Sequence, residues 1–205
     1  ISNIGAKMAY TSGADRDFIP TNLRLGTAFN MEIDEFNEFT LALDANKLLV
    51  PTQPVYQQEN GTPVFGPDGS PIVFSGRDPN VGVASGIFGS FGDAPGTVLY
   101  DDSGTSQGVE DGSRFKEELN EINLSVGMEY LYNHLFAVRA GYFHEHPTKG
   151  NRRFVSLGAG VKYKVLDIDL SFLLALTQQS PLANTLRFSL KFNFGDDGSK
   201  EESSI

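Results

Sequence analysis

Apolar and polar residues alternate with a period of two in eight separate stretches of this chain, and only a β-strand with one greasy and one wet face has that repeat. The clearest copy runs from Thr185 to Phe194, with Leu186, Phe188, Leu190, Phe192 and Phe194 on one side and Arg187, Ser189, Lys191 and Asn193 on the other. The pattern recurs at Leu23 to Ile33, Phe39 to Asn46, Ile122 to Tyr130, Phe136 to Tyr142, Val155 to Tyr163 and Ile168 to Leu176, with a weaker opening copy at Ile4, Ala6, Met8 and Tyr10. Each stretch approaches the ~9–11 residues that a tilted strand needs to cross a bilayer. The expected fold is therefore all-β, a transmembrane antiparallel β-barrel with lipid on one face of every strand. A soluble β-sandwich is the alternative that the same alternation allows.

Bulk hydropathy does not argue against a membrane location. The mean hydropathy of −0.22 is that of a soluble protein, but a barrel places its apolar residues at every second position, so no window is greasy throughout. No run approaches the about 20 apolar residues of a helical span. Sixteen Phe and seven Tyr suit interfacial girdles of rings, and would equally suit a sandwich core. The absence of cysteine excludes disulfides, thiolate metal sites and thiol nucleophiles. A net charge of −10, with no clustering of Lys and Arg, argues against nucleic acid as a partner. The sequence opens at Ile1 with neither an initiator Met nor a signal-peptide pattern, so a processed or partial chain is expected.

The connections between the stretches alternate in length. Short turns are expected at Asp34 to Asn37, Tyr132 to His134 and Leu166 to Asp167, and longer ones at Ser12 to Thr21, Val50 to Glu118, His146 to Arg152 and Thr177 to Asn184. In bacterial outer-membrane barrels the short turns are periplasmic and the long loops extracellular. That rule divides the chain into a barrel over 1–194, with a long extracellular loop at 50–118, and an acidic periplasmic tail at 195–205. On the wet face, Glu129 with Arg139 and Lys162 with Asp169 are expected to pair across short turns inside the lumen. Gly26, Gly127, Gly141, Gly158 and Gly160 mark places where that face must stay small.

Loops as long as 50–118 are usually functional or unstructured. This one begins with a hairpin signal, Pro63 to Phe65 and Pro71 to Phe74 about the turn Gly66 to Ser70. Beyond it, Val83, Ile87 and Phe91 stand at helical spacing beside Phe88, so a short helix with one apolar face is expected despite its glycines. Such aromatics either seek a partner or fold back on the barrel mouth.

No catalytic constellation emerges, and no enzyme or cofactor is expected. The glycine-rich stretch lacks a Gly-Lys-Ser/Thr ending, so it cradles no phosphate. His144 and His146 put two imidazoles on one face of a strand end, but a zinc site needs at least three protein ligands, and no metal site is expected. Ser156 falls on the wet face among glycines, with no base and orienting group arrayed around it.

Several motifs together resemble the PorV family, outer-membrane barrels of the type IX secretion system. They are Phe18 to Gly26 (FIPTNLRLG), Leu43 to Leu49 (LDANKLL), Phe91 to Gly96 (FGDAPG) with Glu117 to Leu119, Glu129-Tyr130, Arg139 to Tyr142, Gly150 to Arg152 and Leu182 to Arg187. PorV proteins are similar to FadL fatty-acid channels, which implies a barrel of about fourteen strands, of which the eight here would be the C-terminal ones. The resemblance implies a non-enzymatic carrier. Its partners would be the translocon barrel, the C-terminal signal domains of secreted cargo, a sortase-containing surface complex and the lipid bilayer. Ile87, Phe88 and Phe91, flanked by Asp93 and Pro95, are the expected cargo anchors, being apolar in a polar surround. A channel for a small hydrophobic ligand is the alternative; Arg24, Asp44, Asn46, Glu129, Arg139, Lys162 and Asp169 make its inward face heavily charged.

Overall fold

The computed structural model describes residues 1–9, 11, 16–177 and 185–192. In order they form strands β1 (Asn22–Glu32) and β2 (Asn37–Leu48), then β3 (Val55–Tyr56), β4 (Gln58–Glu59), β5 (Thr62–Pro63) and β6 (Val73–Ser75). Helix α1 (Val83–Gly89), strands β7 (Val98–Tyr100) and β8 (Ser106–Val109) and helix α2 (Ser113–Asn120) follow. The chain then returns to long strands, β9 (Ile122–Tyr132), β10 (Phe136–His144), β11 (Arg153–Tyr163), β12 (Leu166–Ala175) and β13 (Thr185–Phe192).

The long strands make one seven-stranded sheet in the order β1-β2-β9-β10-β11-β12-β13. Every neighbour in space is thus the next long strand in sequence, the order of an up-and-down meander. The ladders β10–β11, β11–β12 and β12–β13 are antiparallel and unbroken in register. Seven strands form where alternation suggests eight. The opening copy makes only isolated bridges, Ser2 with Asn22 and Met8 with Asp17, and its Tyr10 lies outside the described residues. Gly5, Ala6 and Ala9 give that segment little side chain to pack on a pleated surface. Within the sheet β1 and β13 each have one strand neighbour, so among the described residues it is open rather than a closed barrel. Asn193 and Phe194 of the expected last strand, the loop 178–184 with its Leu182 motif, and the tail 195–205 lie outside the described residues.

The short turns have the chemistry their lengths demand. Asp34 Oδ1 accepts from the backbone N–H groups of Phe36 and Asn37, both at 2.9 Å, closing the first hairpin as an Asx turn. Asn133 and His134 both take positive φ, 51° and 53°, the backbone of the two-residue turn that matches strand twist. The third turn corrects the sequence reading. It lies at Lys164–Val165, two residues before the expected Leu166–Asp167, because Tyr163 pairs with Leu166 and Lys164 takes the left-handed conformation.

Chain contacts divide the molecule into two compact units. Residues 27–43, 125–144 and those from 152 onward make up the second, and its strands expose their apolar rows. Leu186 is 69 % exposed, Phe188 64 %, Val138 61 % and Leu157 50 %. Phe29, Met31, Met128, Phe136, Val161, Leu170 and Phe192 are exposed likewise. Side chains buried between stacked sheets would not be, so the sandwich alternative fails. Buried apolar residues among those described are Leu49, Ala94 and Ala137, far less than the core that sustains a water-soluble domain of this length. No described helix is long and apolar enough to cross a membrane, a fact without bearing on strands.

The first unit comprises residues 1–26, 44–124 and 145–151. Its bulk is the excursion between β2 and β9, which is not an irregular loop. β3 pairs with β6, β4 with β5 and β7 with β8. The hairpin about Gly66 to Ser70 closes through the Phe65–Pro71 bridge.

Candidate functional site

Helix α2 and Glu121, the residue that caps its C-terminus, carry three carboxylates into a half-buried polar cluster. Glu121 stands one turn beyond the adjacent Glu117 and Glu118, and those spacings of four and three residues bring it to their side. Glu118 Oε1 accepts from the Ala94 N–H at 2.8 Å and Glu117 Oε2 from the Gly96 N–H at 2.7 Å, tying the helix to the turn that follows Phe91. Lys47, at the end of β2, places Nζ 2.6 Å from Glu121 Oε2 and 3.2 Å from Glu118 Oε2. Lys149, on the short 3-10 turn Pro147–Lys149, reaches Glu117 Oε1 at 2.7 Å and Glu121 Oε1 at 2.9 Å. Thr52 completes the set, donating its N–H to Asp93 Oδ2 at 3.0 Å and its hydroxyl to Glu121 Oε1 at 2.8 Å.

These contacts differ from surface ion pairs because their members have left water. The Lys47 side chain is 8 % exposed and that of Glu121 11 %. Burial alone would raise the Glu121 carboxyl, but hydrogen bonds from Lys47, Lys149 and Thr52 outweigh it and hold the group below the ordinary glutamate value. Burial would likewise lower Lys149, and its bonds to Glu117 and Glu121 reverse that. Asp93 goes the other way. Burial pushes its carboxyl up and the adjacent charges of Glu121 and Glu118 add to the rise, against the lowering effect of Thr52.

The expected anchors separate into two sets. Val83 to Gly89 does form the helix that the spacing predicts, and α1 packs through Gly86, where a Cβ would collide with the Phe18 ring and touch Pro51. That close approach explains a residue that lowers helix propensity by about 1 kcal/mol. Phe88 projects away at 78 % exposure and Phe91 is exposed at 54 %, while Ile87 is half-buried. Asp93 and Pro95 do not flank them as a polar rim. Both are buried, Asp93 as an acceptor for Thr52 and Pro95 with its carbonyl taken by the Ser75 hydroxyl, because the turn docks against α2. Phe115 and Leu119, four residues apart on α2, are also exposed, on a stretch that reads as loop in the sequence.

Residues 1–55 match the family model of the type IX secretion system protein PorV. The match supports the PorV resemblance, and covers two of its motifs, Phe18 to Gly26 and Leu43 to Leu49. Two further motifs beyond the matched stretch, Phe91 to Gly96 and Glu117 to Leu119, are the segments that the Ala94 and Gly96 amides join. PorV is a component of a secretion system. No curated protein matches the chain.

On the wet face of the sheet Arg139 forms ion pairs with both Glu129 and Asp169. To do so it crosses β11, where Gly158 stands opposite Arg139 and Gly160 opposite Asp169. A Cβ at Gly160 would strike the Asp169 carboxylate and crowd the guanidinium, which is why that strand is bare there. The expected Lys162–Asp169 pair is absent among the described residues. With the turn at Lys164–Val165, Lys162 stands opposite Asp167 instead.

The two imidazoles have separate local partners. His144 Nδ1 lies 3.2 Å from the Tyr142 hydroxyl, and His146 caps the 3-10 turn by accepting from the Thr148 N–H. Ser156 stands opposite Gly141 and fills the space a side chain there would need. An open cleft of about 780 Å3 has a mixed lining, with Lys7, Arg16 and Asp17 beside the apolar Phe18, Val50 and Pro51.

Proposed function

We propose that this chain is a non-enzymatic outer-membrane component of type IX protein secretion. It binds the C-terminal signal domain of secreted cargo beside the translocon barrel and passes it to a sortase-containing surface complex. The PorV match over residues 1–55 carries the reading. The exposed rows of Leu and Phe support it, since a surface of that kind requires lipid or protein against it. In this reading the sheet is part of a FadL-like barrel closed by further strands, with the excursion between β2 and β9 outside the cell and the tail at 195–205 in the periplasm.

Cargo engages the exposed face of α1 and the turn just after it, with Phe88 and Phe91 as anchors and Ile87 supporting them; large aromatics in the centre of an interface dominate its energy. Phe88 and Phe91 are replaced by Ala together, and cargo co-purifying with the intact protein is measured from membranes in mild detergent. At least a tenfold loss of cargo, with barrel assembly normal, is expected. Undiminished cargo on a correctly assembled double variant would refute the anchoring role. Absence of any translocon or cargo with the unmodified protein would refute the transport reading itself.

A further inference from the structure

The cluster around α2 is not neutral. Asp93, Glu117, Glu118 and Glu121 bring four carboxylates together, and the ammonium groups within 4.0 Å of them are those of Lys47 and Lys149. Two negative charges remain if all four ionise. Arg77 and Arg114 belong to the same unit but form no ion pair with this group; Arg114 donates to the Ser75 hydroxyl instead. An uncompensated charge in a half-buried site costs several kcal/mol unless something neutralises it.

Coordinating capacity remains in the right place. Oxygens of Asp93, Glu118 and Glu121 lie within 4.8 Å of one another. Asp93 is 3 % exposed, and its Oδ1 is buried with no hydrogen-bond partner. An ionised carboxylate has about four lone-pair sites. Thr52 occupies one on Asp93, Ala94 and Lys47 occupy two on Glu118, and Lys47, Lys149 and Thr52 occupy three on Glu121.

We propose that Asp93, Glu118 and Glu121 bind one hard divalent cation, Ca2+ by preference, with Asp93 Oδ1, which is buried and accepts no hydrogen bond, as one of its ligands. The donor set is entirely oxygen, which disfavours zinc and other soft-ligand metals. It is irregular and shared with two lysines, which suits the flexible coordination shell of Ca2+ better than the strict octahedron of Mg2+. The bound cation closes the charge balance and locks the turn at Asp93 to Pro95 against α2, holding the platform that bears Phe91. The inference stands whether or not the chain serves in secretion.

The intact protein in detergent, stripped with a chelator, is dialysed against 45Ca2+, and protease cleavage within the excursion is followed as CaCl2 or MgCl2 is added. One Ca2+ per chain is expected, with Kd about 10−4 to 10−3 M as in extracellular Ca2+ modules, protection rising over the same range, and Mg2+ weaker by about tenfold. Asp93→Asn keeps an acceptor for the Thr52 N–H and should lose binding by tenfold or more. Should that variant fail to assemble, Glu118→Gln is read in its place. Absence of Ca2+ binding and of protection up to about 10 mM in the unmodified protein, an order above the expected Kd, overturns the proposal. So does an assembled Asp93→Asn that binds like the unmodified protein.

Discussion

The sheet and the excursion between β2 and β9 are held together by opposite means. The sheet leaves its hydrocarbon exposed on one face, is stitched by backbone ladders, and carries charged groups on the other, as in the ion pairs of Arg139 with Glu129 and Asp169. The excursion has little apolar core; among the described residues of its unit Leu49 and Ala94 are buried, with Pro54 and Pro95. Carboxylates, lysines and backbone amides take the place of that core. A regular ladder tolerates exposed Leu and Phe when the surroundings are apolar, whereas a watery loop of glycine and serine needs directional bonds to hold one shape.

That contrast can be broken most forcefully at its polar centre. Glu121→Ala removes the acceptor shared by Lys47, Lys149 and Thr52, and breaking a buried pair from one side costs about 3–5 kcal/mol. Proteolysis of the excursion should accelerate by at least a hundredfold while the strands stay protected. Next comes Leu157→Lys on the apolar face, expected to destabilise the assembled protein by about 2–4 kcal/mol if its position is near the bilayer midplane, measured by urea titration in liposomes. Gly160→Val should cost about 1–3 kcal/mol by overpacking against Asp169 and Arg139, measured the same way, and should leave protease protection of the excursion unchanged.

Acid titration sharpens the comparison further. Asp93 has a raised value, so as pH falls through it the proton binds the folded form preferentially and the excursion gains stability. Glu121 has a depressed value, so its contribution is complete above the ordinary glutamate range and is lost as pH falls below it. Protease protection in chelator should therefore pass through a maximum in mild acid, and Asp93→Asn should abolish the rise while leaving the decline. The smallest effect is expected at Phe88→Ala, within about 0.5 kcal/mol of the unmodified stability, since an exposed side chain has little to lose on the free protein.

Most of the sheet was legible because alternation is a local signal. Seven of the long strands sit where their Leu and Phe rows place them, and the helix at Val83 is visible in its spacing. The third short turn was misplaced because Lys164–Val165 carries no Gly, Asn or Asp to announce it, and the error of two residues then assigned Asp169 the wrong partner. The polar cluster was illegible for a different reason. Lys47, Thr52, Asp93, Glu121 and Lys149 come from five places along the chain, and no period links them. Asp93 and Pro95 read as part of a polar surround because nothing near them in sequence reveals that α2 docks there. Helix α2 itself lacks a side-chain cap, starting from a left-handed Gly112, so its usual sequence signature is missing.

The Lys47–Glu121 pair joins the two residues that border the whole detour, one at the close of β2 and the other just ahead of β9. Bringing β2 beside β9 must span the residues 49–121, and chain-closure entropy grows by about 0.6 kcal/mol for each doubling of length, some 3 kcal/mol beyond a two-residue turn. The clasp is where that closure is met, and beside it β2 and β9 lie as neighbours in the sheet, as two strands joined by a short bend would.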